Sequence, residues 1–190
     1  MDFKNTKRVL EEFGTLGVER SQGELKITRK IRGRSVNRVA TGNLRDSIYY
    51  HVLQQKRDFS VKFDVQGTAR RYASFIHEGV NGTELSVGSP YSFKSRFVNI
   101  SAIERYIRDT SDFRLRKVIV NKYGQRINTF VEKSEQNIKS AAYVIARSIA
   151  KKGIVGVPFL DAGTEWAFDK IQRDLENAWE QDSLDFLELE

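Results

Sequence analysis

The only imidazoles are His51 and His77, and there is no cysteine. A protein zinc site needs three or four ligands at short, recognisable spacings. His77 is followed by Glu78 but not by a second histidine one helical turn on, so the metalloprotease helix pattern is missing. His51 falls within a segment that reads as a strand. Both histidines are read as ordinary, partly buried side chains. Without cysteine there is no thiolate nucleophile, disulfide or sulfur ligand. No phosphate-cradling glycine loop, dinucleotide-binding glycine pattern or Gly-x-Ser-x-Gly elbow occurs. Carboxylates are plentiful towards the C-terminus, where a solvated helix face accounts for them better than acid–base pairing. The sequence predicts no enzyme, no cofactor and no metal.

Charge is the chemistry that the residues do support. The 190 residues carry a net charge of +7. Residues 161–190 hold ten acidic and two basic side chains, a net of −8, so residues 1–160 carry +15. A basic body with an acidic tail can join head to tail with copies of itself, or turn a basic face to nucleic acid or an acidic partner. The strongest basic run is residues 20–45, where Arg20, Lys26, Arg29, Lys30, Arg32, Arg34, Arg38 and Arg45 face one acid, Glu24. Such a run neutralises phosphates and gives salt-dependent, sequence-independent affinity. Few aromatics interleave with it, which argues against base stacking on single strands. The competing reading is an arm that pairs with an acidic neighbour, including the tail of another copy. Arg29, Lys30, Arg32, Arg34 and Arg38 are the candidate residues for either contact.

The elements that position these residues follow from periodicity. Phe3, Val9, Leu10 and Phe13 predict a short amphipathic helix over 3–16, ended by Gly14 and Gly17. Residues 20–40 read as an extended arm or loop. Residues 41–43 read as a turn and lead into two strands, 47–54 and 58–66. In the second, Phe59, Val61, Phe63 and Val65 alternate with polar residues, so one face is buried. Thr68 is placed to cap a helix to about His77 that buries Tyr72, Phe75 and Ile76. A glycine loop follows, then a helix from Ser101 with Ile103, Tyr106 and Ile107 inward. A hairpin joins 115–120 to 126–131. A helix over 134–151 carries the stripe Ile138, Ala141, Ala142, Ile145 and Ile149. Residues 158–160 read as an apolar loop. The last helix, about 162–179, turns Phe168, Ile171, Leu175 and Ala178 to the core. A chain of this length buries roughly 70% of its unfolded surface. The whole predicts a single α+β domain: a small antiparallel β-sheet with helices packed on one face, and an inserted helix–hairpin–helix region at about 80–157. No apolar run is long enough to span a membrane, and the N-terminus does not read as a secretory signal.

Three short segments carry a resemblance. They are Thr41-Gly42-Asn43-Leu44-Arg45-Asp46-Ser47-Ile48, then Tyr72-Ala73 followed by Ile76-His77-Glu78-Gly79, then Pro158-Phe159-Leu160-Asp161-Ala162. In this order they resemble the neck or tail-completion (head–tail joining) proteins of tailed bacteriophages. Those proteins commonly show a Thr-Gly-Asn-Leu turn, a Tyr-Ala segment ending in Glu-x-Gly, and a Pro-Phe-Leu segment before a C-terminal helix. The match covers about 40–80 and 153–175. Family members often pass from the Glu-x-Gly loop to the Pro-Phe-Leu segment in far fewer residues than here. The resemblance implies a virion structural protein, assembled in the host cytoplasm and sited at the neck or tail. About six or twelve copies would form a ring around the DNA channel, against neighbouring connector, head-closure or tail proteins and the packaged DNA, with no membrane. It implies structural roles for Thr41, Gly42, Asn43, Leu44, Tyr72, Glu78, Gly79, Pro158, Phe159 and Leu160. Residues 158–160 would anchor the last helix or present an apolar plug to a neighbour. The inserted hairpin, about 114–131, would reach towards an adjacent ring or tail protein. The alternative is a free nucleic-acid-binding protein acting through residues 20–45.

Overall fold

The computed structural model describes residues 3–27, 29–31, 34–36, 42–55, 58–95, 98–111 and 113–187, with backbone alone for 29–31 and 34–36. In chain order the elements are α1 (Lys4–Lys26), β1 (Arg29–Ile31), β2 (Arg34–Val36), α2 (Asn43–Asp46), β3 (Ile48–Gln55), β4 (Asp58–Val65), α3 (Arg70–His77), β5 (Gly79–Val80), α4 (Ile100–Asp109), β6 (Leu115–Val120), β7 (Arg126–Val131), α5 (Glu135–Lys152), β8 (Ile154–Val155) and α6 (Phe159–Leu187). The protein is α+β, with helices and small antiparallel sheets. Three antiparallel two-stranded ladders join β1 to β2, β3 to β4 and β6 to β7. The chain divides into two compact units, Met1–Gly79 with Val155–Glu190, and Val80–Ile154.

In the first unit α1 and α6 run antiparallel. Asn5 and Thr6 meet Asp182 at one end, and Gly17 and Ser21 meet Gly163 at the other. Phe3, at the cap position of α1, supplies no side-chain acceptor. Asp182 does so from the opposite helix, accepting from the backbone N–H of Asn5 at 3.1 Å and of Thr6 at 2.8 Å. Those amides would otherwise be unsatisfied, and a carboxylate suits the positive end of the helix dipole. Phe3 stacks on Trp179 at 5.1 Å and meets the edge of Phe59 at 5.4 Å.

Helix α1 corrects the expectation of a helix ending at 16 with an arm beginning at 20. It runs on through Gly14 and Gly17 to Lys26. Each glycine costs about 1 kcal/mol of helix propensity. Here, however, both are buried where a ring lies on the backbone: a Cβ at Gly14 would collide with the Tyr50 ring, and one at Gly17 with that of Phe63. Arg20 and Lys26 are therefore helical. Arg20 pairs with Glu24 at 2.6 Å, one turn on. The chain beyond is strand where described, with Arg29 opposite Val36 and Lys30 opposite Ser35.

The β3–β4 hairpin keeps the predicted alternation, from Ile48 opposite Val65 to Gln55 opposite Asp58. Thr68 does not cap α3. It lies in a 3-10 turn, Gly67–Ala69, and its hydroxyl accepts from Asn43 Nδ2 at 3.1 Å. Ala73 is the buried residue of α3, with Tyr72 and Ile76 half-buried and Phe75 exposed. Helix α6 begins at Phe159, not 162, and Phe168 is exposed rather than inward. Its buried stripe is Phe159, Gly163, Ala167, Ile171, Ala178 and Asp182. A seam this close admits small residues and turns the large rings outward.

In the second unit α4, α5 and the base of the β6–β7 hairpin share one core. Ile107, Leu115, Ile138 and Ala142 are buried, and Ile100, Ile103, Phe113 and Ile145 pack on them. Tyr106, expected inward, is exposed and meets the edge of Phe113 at 5.9 Å. Asn99 caps α4 and Ser134 caps α5 through side-chain bonds to Ala102 N and Asn137 N. Arg108 and Glu135 form a two-pronged ion pair. Asn81 organises the preceding loop, accepting from Val87 N at 2.7 Å and Ser89 N at 3.2 Å.

Candidate interaction surfaces

The three segments that carry the resemblance are far apart in sequence, and the first unit brings them together. Leu44, Ala73 and Phe159 are buried in one cluster with Leu25, Ile48, Val65, Ala69 and Val157, and Tyr72, Ile76 and Leu160 pack against it. Gly42 (φ +78°) and Gly79 (φ +79°) both hold left-handed backbone at the sharp turns, a conformation that costs other L-residues energy. Asn43 reaches Thr68, and the Ser47 hydroxyl donates to the Asn43 carbonyl at 2.5 Å. The chain before α6 lies against the end of α3. Val157 N donates to Ile76 O at 2.8 Å, and a Cβ at Gly156 would collide with the His77 carbonyl. Phe159 is fully buried, so it anchors α6 and is no plug for a neighbour, while Pro158 is exposed. Thr41 lies outside the described residues.

His77 closes the same cluster. Its ring meets the edge of Phe159 at 5.3 Å, and Nε2 lies 3.1 Å from Asp161 Oδ2 and 3.9 Å from Glu78 Oε1. Asp161 precedes Ala162 in the third segment and His77 belongs to the second, so this contact ties two of the three. Among the described residues no group of three or more His, Asp or Glu is placed to hold a metal ion. No described helix is long and apolar enough to cross a membrane.

The candidate arm residues are placed only in part. Arg29 and Lys30 stand on β1 and Arg34 on β2. Arg32 and Arg38 lie outside the described residues. Arg45 is engaged locally: its Nη2 donates to Asp46 Oδ2 at 2.8 Å, and that hydrogen bond holds the Asp46 carboxyl below its ordinary value.

The β6–β7 hairpin is the most exposed apolar feature of the second unit. Beyond Leu115 and Val131 its strands are exposed on both faces. Arg116 opposite Phe130 and Val120 opposite Arg126 lie on one face, and Ile119 opposite Ile127 on the other. The Arg116 guanidinium sits 4.7 Å above the Phe130 ring. The turn is well tied, with Asn121 Oδ1 accepting from Tyr123 N at 3.0 Å and Gln125 N at 2.9 Å. Residues 113–133 hold six Arg and Lys against one Glu. Between β6 and α5 runs a groove of about 510 Å³, lined by Arg114, Arg116, Val118, Ala141, Val144 and Ile145 among others, with no carboxylate. Large contiguous exposed apolar patches are rare on monomeric proteins. Turn residues at 121–125 between two short runs located the hairpin. The groove depends on how α5 lies beside β6, which local sequence does not show.

Helix α6 has the opposite character at its C-terminal end. Residues 174–190 contain seven Asp and Glu and no Lys or Arg, and no basic residue stands in the last turn. Leu184 and Leu187, three apart, are 52% and 65% exposed. Among the described carboxylates of this stretch only Asp182 is buried. Burial pushes its pKa up, but hydrogen bonds from Thr6 and Asn5 outweigh that and hold it below the ordinary value.

No family model, curated protein or solved structure matches the chain.

Proposed function

We propose that the chain is a structural subunit of a tailed-bacteriophage virion, one of about six or twelve copies in a neck or tail-completion ring that joins the capsid connector to the tail around the DNA channel. The observation that carries this reading is the meeting of the three resemblance segments, 41–48, 72–79 and 158–162, in one buried cluster of the first unit. Segments that set a family's fold are expected to meet in this way. The charge split supports it too. A closed ring needs two different faces on each subunit, and a basic body with an acidic C-terminal end supplies them.

Quantitative mass spectrometry of particles produced by the genome that encodes the chain tests the reading. A fixed copy number near six or twelve per particle is expected, and absence from the particles removes it. In this reading Arg29, Lys30, Arg32, Arg34 and Arg38 line the channel or dock on an acidic neighbouring ring. Changing all five to Ala should weaken DNA retention or ring docking while leaving the melting temperature unchanged.

The second reading is a free nucleic-acid-binding protein. It is favoured by the pairing of β1 with β2, since a basic two-stranded ribbon is a known reader of DNA grooves. Titration of duplex DNA at two salt concentrations separates the two. Micromolar binding by the isolated chain, steeply weakened by salt, belongs to the second reading.

A further inference from the structure

The geometry points to a specific contact between copies of this chain: the acidic C-terminal end of α6 from one copy lies in the basic, apolar groove between β6 and α5 of the next. The inference takes its setting from the ring reading above and names the partner of each face.

The α6 end breaks a local rule. The C-terminus of a helix is the negative end of its dipole, where Lys or Arg is favoured and Asp or Glu is not. Here the last turn carries Asp185, and the sequence holds no Lys or Arg after Arg173. Leu184 and Leu187 share one side of the helix and are exposed. An amphipathic helix end of this kind binds by laying its apolar residues in a groove. A cationic lining would relieve the repulsion between the carboxylates and the dipole.

The groove has the complementary chemistry. Val118, Ala141, Val144 and Ile145 give it apolar lining, Arg114, Arg116 and Lys117 give it positive charge, and no carboxylate lines it. Val118 and Val144 are 57% and 65% exposed. Exposed aliphatics at this density are not needed to bind phosphates, which cations alone can do. Apolar surface together with Arg is the composition of a protein interface. The two faces differ, so the contact is head to tail. It propagates until the rotation closes a ring or opens a filament.

The test is the oligomeric state of the full chain, read by sedimentation velocity at rising concentration and at about 50 mM and about 500 mM salt, over which screening changes strongly. Assembly that weakens with salt is expected. A groove variant, Val118→Asp with Val144→Asp, and an end variant, Leu184→Asp with Leu187→Asp, should each be monomeric with an unchanged melting temperature. Mixed in equal amounts, they should form a one-to-one pair and nothing larger, because one intact groove then meets one intact helix end. If either variant misfolds, Arg116→Glu and Asp185→Lys test the same contact, each alone reducing assembly and the two mixed restoring it. Four results would overturn the inference: a wild-type chain that stays monomeric at low salt, variants that assemble like wild type, a mixture that does not pair, or duplex DNA binding through Arg116 and Lys117 without self-association. Variants that assemble normally in a chain found at fixed copy number in particles would remove this contact and leave the ring reading standing. Pairing of the variants by a chain absent from particles would do the reverse.

Discussion

The α1–α6 seam of the first unit and the β6–β7 hairpin of the second are built on opposite terms. At the seam two helices come close enough that a Cβ at Gly163 would collide with Ser21 Oγ and the Gly17 carbonyl. A buried carboxylate, Asp182, completes the hydrogen bonding. At the hairpin the two strands pair in register, yet beyond its base neither face is covered. The seam spends its small residues on its own stability, whereas the hairpin keeps its large apolar and cationic residues in reach of something else. The core of a subunit and its docking surface can therefore be told apart by what their apolar residues touch, not by how many there are.

Substitutions at five positions break or sharpen this contrast. The largest effect is expected for Phe159→Ala, which empties the centre of the first unit's cluster and should cost about 3–5 kcal/mol by urea denaturation. Phe130→Ala, an equal truncation on the exposed hairpin, should cost no more than about 1 kcal/mol; an equal cost for both would show that the hairpin is core. Next comes Gly163→Val, which forces a side chain against Ser21 Oγ and the Gly17 carbonyl. Overpacking of this kind costs about 1–3 kcal/mol, measured as a lower denaturation midpoint. Asp182→Ala removes the acceptor for the first amides of α1 and should cost about 0.5–2 kcal/mol at neutral pH. The pH dependence has a definite sign. The folded pKa of Asp182 is lowered, so its contribution is fully present above the unfolded value of about 3.9 and is lost as pH falls through the folded value. Asp182→Asn should accordingly lose less stability than wild type between pH 5 and pH 2, both about; parallel acid limbs in a melting series would contradict this. The smallest effect is expected for Val118→Ser, within about 0.5 kcal/mol, although the same change should weaken self-association.

Much of the fold could be read in the sequence. Strand 58–66 alternates clearly, the turn residues 121–125 mark the hairpin of 115–120 with 126–131, and the stripe through Ile138, Ala142 and Ile145 places α5. Periodicity misled where tertiary contact chose against size. Gly14 and Gly17 look like helix stops, but they are the places where Tyr50 and Phe63 rest on the backbone. Phe168 looks like core, but Gly163 and Ala167 face α1. Thr68 looks like a cap, but its hydroxyl is taken by Asn43. The resemblance segments were legible one by one; their meeting around Phe159 was not, because residues 44 and 159 are joined only by long-range packing.

The sequence by itself determined the faces of strand 58–66, the apolar stripe of α5, the sharp turns at Gly42 and Gly79, and the separation of basic body from acidic end. These depend on side-chain type and on neighbours within a turn or two. The tertiary structure alone decided which helix completes the hydrogen bonding of α1, which small residues form its seam with α6, and that a groove opens between β6 and α5. Such features depend on the distance between two backbones, which is set by packing across the chain.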